Sequence, residues 1–124
     1  MEKEFSVGER AKSFTHAWRG LGLFLRTTHS AWIQIGIFAL VVVAGSLLQI
    51  TKIEWMFLMF AGGLVLSAEA FNTALEIDMD LTSPQYHPAA RDTKDIAAGA
   101  VLIASITASI IGLFIFLPHL ATLF

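Results

Sequence analysis

The sequence predicts an all-α integral membrane protein: an N-terminal amphipathic surface helix followed by three transmembrane helices. Three observations carry that prediction. Of 124 residues, 56% are hydrophobic and only 15% charged, with a mean hydropathy of +0.69, which is not the composition of a soluble domain. Ala31 to Ile50 and Ile96 to Leu117 hold no charged residue, and Trp55 to Ile77 holds only Glu69 and Glu76. Each stretch is long enough to cross a hydrocarbon core of about 30 Å. Finally, the apolar residues ahead of the first span recur at helical spacing with a basic side, the pattern of a helix lying in the membrane interface.

Taken in order, the chain divides as one membrane domain over residues 1–124: a surface helix at 6–27, spans at 31–50, 55–77 and 96–117, and a polar loop at 78–95. Ser6 followed by Glu9 fits a capping box that starts the first helix. Along it Phe14, Ala17, Trp18, Leu21 and Leu25 share a face, with Arg10, Lys12, Ser13, His16 and Arg19 largely elsewhere. Thr51 and Glu54 repeat the capping-box pattern before the second span, and Trp55 stands where an interfacial aromatic anchor belongs. Ser83-Pro84 should break that helix, because the residue before a proline is pushed out of the α region. Pro88 suits the first turn of the next helix, and the third span is expected to end at Pro118. Its small residues Ala100, Ala104, Ala108 and Gly112 form a ridge that lets helices approach closely in lipid.

Charge gives the orientation. Lys3, Arg10, Lys12, Arg19 and Arg26 precede the first span, Arg91 and Lys94 lie between the second and third, and only Lys52 lies in the remaining turn. The positive-inside rule places the N-terminus and the 78–95 loop in the cytoplasm and the C-terminus outside. The chain has no cysteine, which excludes disulfide frameworks and cysteine-based zinc sites. A net charge of −2 without a basic cluster argues against a nucleic-acid partner. No signal-peptide pattern is present at the N-terminus.

The second span carries the chemistry. Glu69, Asn72 and Glu76 are spaced by three and four, which puts them on one face of a helix of roughly 3.6 residues per turn, and Asp80 continues the stripe one turn on. A carboxylate at membrane depth costs roughly 2.5–3.5 kcal/mol on insertion scales, so these need a metal, a proton, a cationic side chain or a polar substrate as partner. Beyond the helix end come His87, Arg91, Lys94 and Asp95. A carboxylate face capped by basic groups suits a metal–phosphate complex at the membrane surface. There is no glycine-rich phosphate loop. Plainer readings of the same residues are an interhelix polar contact for Glu69 and Glu76, a helix cap for His87, an i,i+4 ion pair between Arg91 and Asp95, and a lipid-phosphate anchor for Lys94.

The run E-A-F-N-T-A-L-E at Glu69–Glu76, Asp80, S-P-Q-Y-H-P at Ser83–Pro88, K-D-I-A-A-G-A-V-L-I at Lys94–Ile103 and W-R-G at Trp18–Gly20 resemble the small prokaryotic diacylglycerol kinase family, which includes diacylglycerol and undecaprenol kinases. The resemblance covers nearly the whole chain. It implies a multi-pass lipid kinase of the bacterial inner membrane, a homotrimer with sites shared between neighbouring subunits. Such an enzyme passes the γ-phosphoryl of ATP, with Mg²⁺, to a lipid hydroxyl. On the matched positions Glu69 is the general base and Glu76 a metal-binding glutamate that also meets ATP. Arg10, His16, Asn72, Gln85, Tyr86, His87, Lys94 and Asp95 match positions near the nucleotide, and Arg10, Glu69 and Ala98 positions near the lipid. The Ser83–Pro88 and Ala97–Ile103 details look more like the undecaprenol kinases.

The stretch before the first span departs from the family. A second metal-ligand glutamate is usual there, and Thr28 occupies its position, with Ser30 and Gln34 at two further polar positions. A neutral hydroxyl is a poorer magnesium ligand than a carboxylate. Either a water or another carboxylate such as Asp80 completes the site, or activity is low or lost. The reading from another class is a catalytically impaired or non-enzymatic membrane module whose polar stripe lines a proton or cation path.

Overall fold

The computed structural model describes residues 3–124, which form four helices: α1 (Val7–Thr27), α2 (His29–Leu48), α3 (Lys52–Thr82) and α4 (Pro88–Ala121). The last three are apolar and long enough to cross a membrane. The chain is thus the all-α membrane protein that the composition predicts. Its helix starts follow from local chemistry. The Ser6 hydroxyl accepts from the Glu9 amide at 3.5 Å. At α3 both halves of the capping box form, Glu54 N–H to Thr51 Oγ1 at 3.2 Å and Thr51 N–H to Glu54 Oε1 at 3.0 Å. His87 Nδ1 accepts from the Ala89 amide at 3.1 Å, ahead of Pro88 in the first turn of α4.

Two helices run further than the spans read from hydropathy. At about 1.5 Å per residue, α3 is about 46 Å long and α4 about 51 Å, well beyond a hydrocarbon thickness of about 30 Å. The segment 78–82 continues α3, and 88–95 opens α4, so within 78–95 only residues 83–87 are non-helical. Charge alone does not stop a helix, whereas Pro84 and Pro88 do punctuate this one. Asp80, Arg91, Lys94 and Asp95 are accordingly held on helices. Pro118 does not end α4, which continues to Ala121.

α3 and α4 form the main contact, α2 packs on α3, and α1 meets α2 at an elbow. That elbow is a single extended residue, Thr28, with Trp32 Nε1 donating to the Leu25 carbonyl at 2.6 Å across it. Phe24 and Ala31 are buried beside it. At the opposite end of the bundle Ile50, Leu58 and Ile115 form an apolar cluster with Trp55 and Phe116. His119 Nε2 lies 3.1 Å from both Glu54 carboxylate oxygens at that end. Gln49 closes α2 in the left-handed region, φ 52°.

Most large apolar side chains are exposed, among them Leu40, Phe57, Phe60 and Phe114 on the long helices and Phe14 and Trp18 on α1. For helices in lipid this is the expected outside. The helix contact depends instead on small residues. Ala61 and Ala104 are buried, whereas Ala100, the first member of the α4 ridge, faces outward. Gly62 is the tightest point: a Cβ there would lie 2.5 Å from the Phe38 ring of α2, while Gly63 next to it meets nothing within 4 Å. Gly62→Ala should therefore lower stability in detergent by about 1–3 kcal/mol through overpacking. Gly63→Ala should not lower it; thermal unfolding of the two variants side by side checks this.

Candidate active site

The polar stripe of α3 forms as the spacing predicts, and its upper part is inside the bundle. Glu69 is 6% exposed and Asn72 9%. The partner of Glu69 comes from α2: Gln34 Nε2 donates to Glu69 Oε2 at 3.0 Å. Asn72 Nδ2 donates to Glu76 Oε1 at 3.4 Å, one turn on. Buried polar groups of this kind require partners. Two atoms nevertheless lack one, Gln34 Oε1 and Asn72 Oδ1. Both are acceptors, so the site offers free lone pairs to a donor or a cation.

Thr28 reaches the same helix. Its hydroxyl lies 2.9 Å from that of Thr73, and Thr73 and Glu76 are i,i+3 neighbours on α3. Position 28 thus stands beside the lower half of the stripe. Glu76 itself is exposed. Among the described residues no three His, Asp or Glu side chains converge on one point.

A second polar region lies where α3 and α4 leave the apolar zone. Asp80, Gln85, Tyr86, His87, Arg91, Lys94 and Asp95 line an open recess of about 400 Å³. The Lys94 ammonium is ion-paired with Asp80, so the last carboxylate of the stripe holds a cation of the recess. Arg91 Nε and Asp95 Oδ2 are 3.8 Å apart on the exposed face of α4, a pair worth about 0.3–0.5 kcal/mol.

Glu69, Asn72 and Glu76 are thus joined along one helix, and Gln85, Tyr86, His87, Lys94 and Asp95 are gathered in one recess that Asp80 links to them. Arg10 and His16 are exposed on α1, where the Arg10 guanidinium lies over the Phe5 ring at 5.5 Å. Neither bonds to the stripe among the described residues. Ala98 is exposed on α4. Two contributors come from the tertiary structure: Gln34 as the partner of Glu69, and Thr73 as the partner of Thr28. Gln34 carried a usable signal, a primary amide one turn into an otherwise apolar helix, where it is retained only if something accepts its hydrogen bonds.

A buried carboxylate with an amide partner, an exposed carboxylate two turns further along the same helix and a recess lined by both acidic and basic side chains bring ionisable groups together along α3 and the start of α4. A sequence profile described as prokaryotic diacylglycerol kinase matches residues 15–116. The undecaprenol kinase of Bacillus subtilis (strain 168) is 40% identical over 109 residues, covering 88% of this chain and 89% of its own. A diacylglycerol kinase of Synechocystis is 41% identical over 112 residues, 90% of this chain and 64% of its own. One from Helicobacter pylori (strain 26695) is 33% identical over 110 residues, 83% of this chain and 86% of its own. The chain belongs to the prokaryotic diacylglycerol kinase family. It is a lipid kinase of that family, and as a kinase it uses ATP.

Proposed function

We propose that this protein transfers the γ-phosphoryl group of ATP to the hydroxyl of a membrane lipid, with Glu69 as the base that receives the hydroxyl proton. The observation that carries this reading is the burial of Glu69 at 6% exposure on the same helix face as Glu76 and Asp80. Along that face the distance from Glu69 to Asp80 is about 16 Å. The lipid hydroxyl belongs at the buried end and the nucleotide at the Lys94 end, with the phosphates between them. Phosphoryl transfer is catalysed mainly by positioning and charge stabilisation, and this face combines an acceptor for the proton with cationic groups for the phosphates.

Residues 6–27 lie on the membrane surface in this reading, and 31–50, 55–77 and 96–117 cross the bacterial inner membrane. The N-terminus and the 83–87 turn are cytoplasmic, where ATP is available. Subunits form a homotrimer with shared sites, in which a neighbour brings Arg10 or His16 toward the stripe. Undecaprenol is the favoured lipid, because the similarity to a protein named undecaprenol kinase runs along nearly the full length of both chains. Diacylglycerol is the competing substrate.

Glu76 and Asn72 fit a magnesium ion. Glu76 is exposed, Asn72 Oδ1 is an unpartnered acceptor, and magnesium takes one or two protein oxygens with phosphate and water completing its shell. Its contribution would be to neutralise charge on the phosphate oxygens. Thr28 adds only a hydroxyl already shared with Thr73.

The test is lipid phosphorylation in mixed micelles with labelled ATP and Mg²⁺, offering undecaprenol and diacylglycerol in parallel. Label should enter undecaprenol preferentially, and Glu69→Gln should reduce the rate by about 10²–10⁴-fold, the usual contribution of a general base. Label in neither lipid, from folded wild-type protein, would overturn the assignment. Glu76→Ala should abolish Mg²⁺-dependent turnover while circular dichroism and detergent elution stay as in the wild type. Thr28→Glu should shift the Mg²⁺ activation curve to lower concentration; a curve that does not move would remove position 28 from the metal site.

A further inference from the structure

We infer that Gln34 is the positioning residue for Glu69: its amide nitrogen fixes one carboxylate oxygen and leaves the other for the lipid hydroxyl. The inference rests on the reading of Glu69 as base. Three observations carry it. The contact is direct, Gln34 Nε2 to Glu69 Oε2 at 3.0 Å, across two helices and 35 positions of sequence. Among the described residues no other side chain bonds to Glu69, so Gln34 alone sets the rotation of the carboxylate. The third observation is the state of Gln34's other end. Its Oε1 is buried without a partner.

That orphan atom is informative. An ionised carboxylate only accepts hydrogen bonds, so the amide must turn its nitrogen toward Glu69. A glutamine retained for packing alone would find a donor for its oxygen. Here the orientation that serves the carboxylate is kept although it strands the oxygen, and buried polar groups left so are uncommon. A neutral donor also differs from a lysine or arginine at this place. It orients the carboxylate without neutralising it, which leaves the negative charge to attract a proton.

Position supports the same role. Gln34 lines both the contact to Glu69 and an apolar cavity of about 310 Å³ between α2, α3 and α4, with Phe38, Leu66 and Ala108 among its walls. In the reaction, the lipid O–H bond breaks and its proton moves to the Glu69 oxygen not held by Gln34. The hydroxyl oxygen's electron pair forms the new bond to the γ-phosphorus, and the bond from that phosphorus to the β,γ-bridging oxygen breaks, releasing ADP. Loss of the fixed orientation lowers the fraction of encounters in which the free oxygen meets the hydroxyl.

Gln34→Met keeps the length of the side chain and removes its donor, and its steady-state kinetics in mixed micelles are the test. The expected result is a kcat lower by about 10–100-fold, with KM for ATP and for lipid within about twofold of the wild type, measured at a temperature where circular dichroism shows the variant fully folded. Unchanged kcat, or a loss confined to the lipid KM, would overturn the positioning role while leaving Glu69 as base. A Glu69→Gln variant as active as the wild type would instead remove the base assignment. The contact itself is tested without activity by ¹⁵N NMR of the Gln34 side-chain amide in detergent. Its resonance should move on Glu69→Gln, and a resonance that stays in place would show that the two groups do not meet.

Discussion

A carboxylate buried among helices has no water to hydrogen-bond it, so the protein must supply the partner. Glu69 poses that requirement, and the amide of Gln34 meets it from the neighbouring helix. The bond does more than relieve one charge. It joins α2 to α3 at the level of the polar stripe. Asn72 and Glu76 are then aligned below it by the helix itself. The position of the Thr28 elbow against Thr73 follows at the next level down. What can be bound along α3 is thus organised from its buried end.

The rest of the bundle is arranged so that this contact can form in a protein with little interior. Three spans cannot enclose a large core, and most bulky apolar residues point outward. Close approach comes from small residues, with Gly62 admitting the Phe38 ring. At the far end, the Ile50–Leu58–Ile115 cluster and the His119–Glu54 pair join the chain ends of the helices. The end that bears the recess is the more open one. It consists of helix extensions beyond the apolar zone, joined by a five-residue turn, with charged groups paired only at the surface. Such a division places the buried apolar packing at one end and the accessible polar groups at the other.

Membership of the prokaryotic diacylglycerol kinase family and the geometry of one chain account for different parts of the reading. The family gives the reaction class. The geometry shows one chain supplying a continuous polar face but not a closed pocket, since Arg10 and His16 stand apart from the stripe. The sharing of sites between subunits proposed above would bring those two side chains to the stripe.

The sequence by itself determined the helices, because their causes are local. Hydropathy over some twenty residues, the caps at Ser6 and Thr51, and the prolines at 84 and 88 act within a turn or two of chain. It also determined the face shared by Glu69, Asn72 and Glu76, which needs only the helical repeat, and the motifs from Glu69 to Ile103 that carry the family resemblance. It did not give the extent of α3 and α4 beyond the membrane zone, since charge marks where lipid ends and not where a helix ends. Only the tertiary structure decided who meets whom. Gln34 and Glu69 are 35 positions apart and Thr28 and Thr73 are 45 apart; such pairs depend on how two helices cross and how closely Gly62 lets them come. Periodicity along one helix cannot encode the rotation of another against it, and that rotation decides the partner of the buried carboxylate.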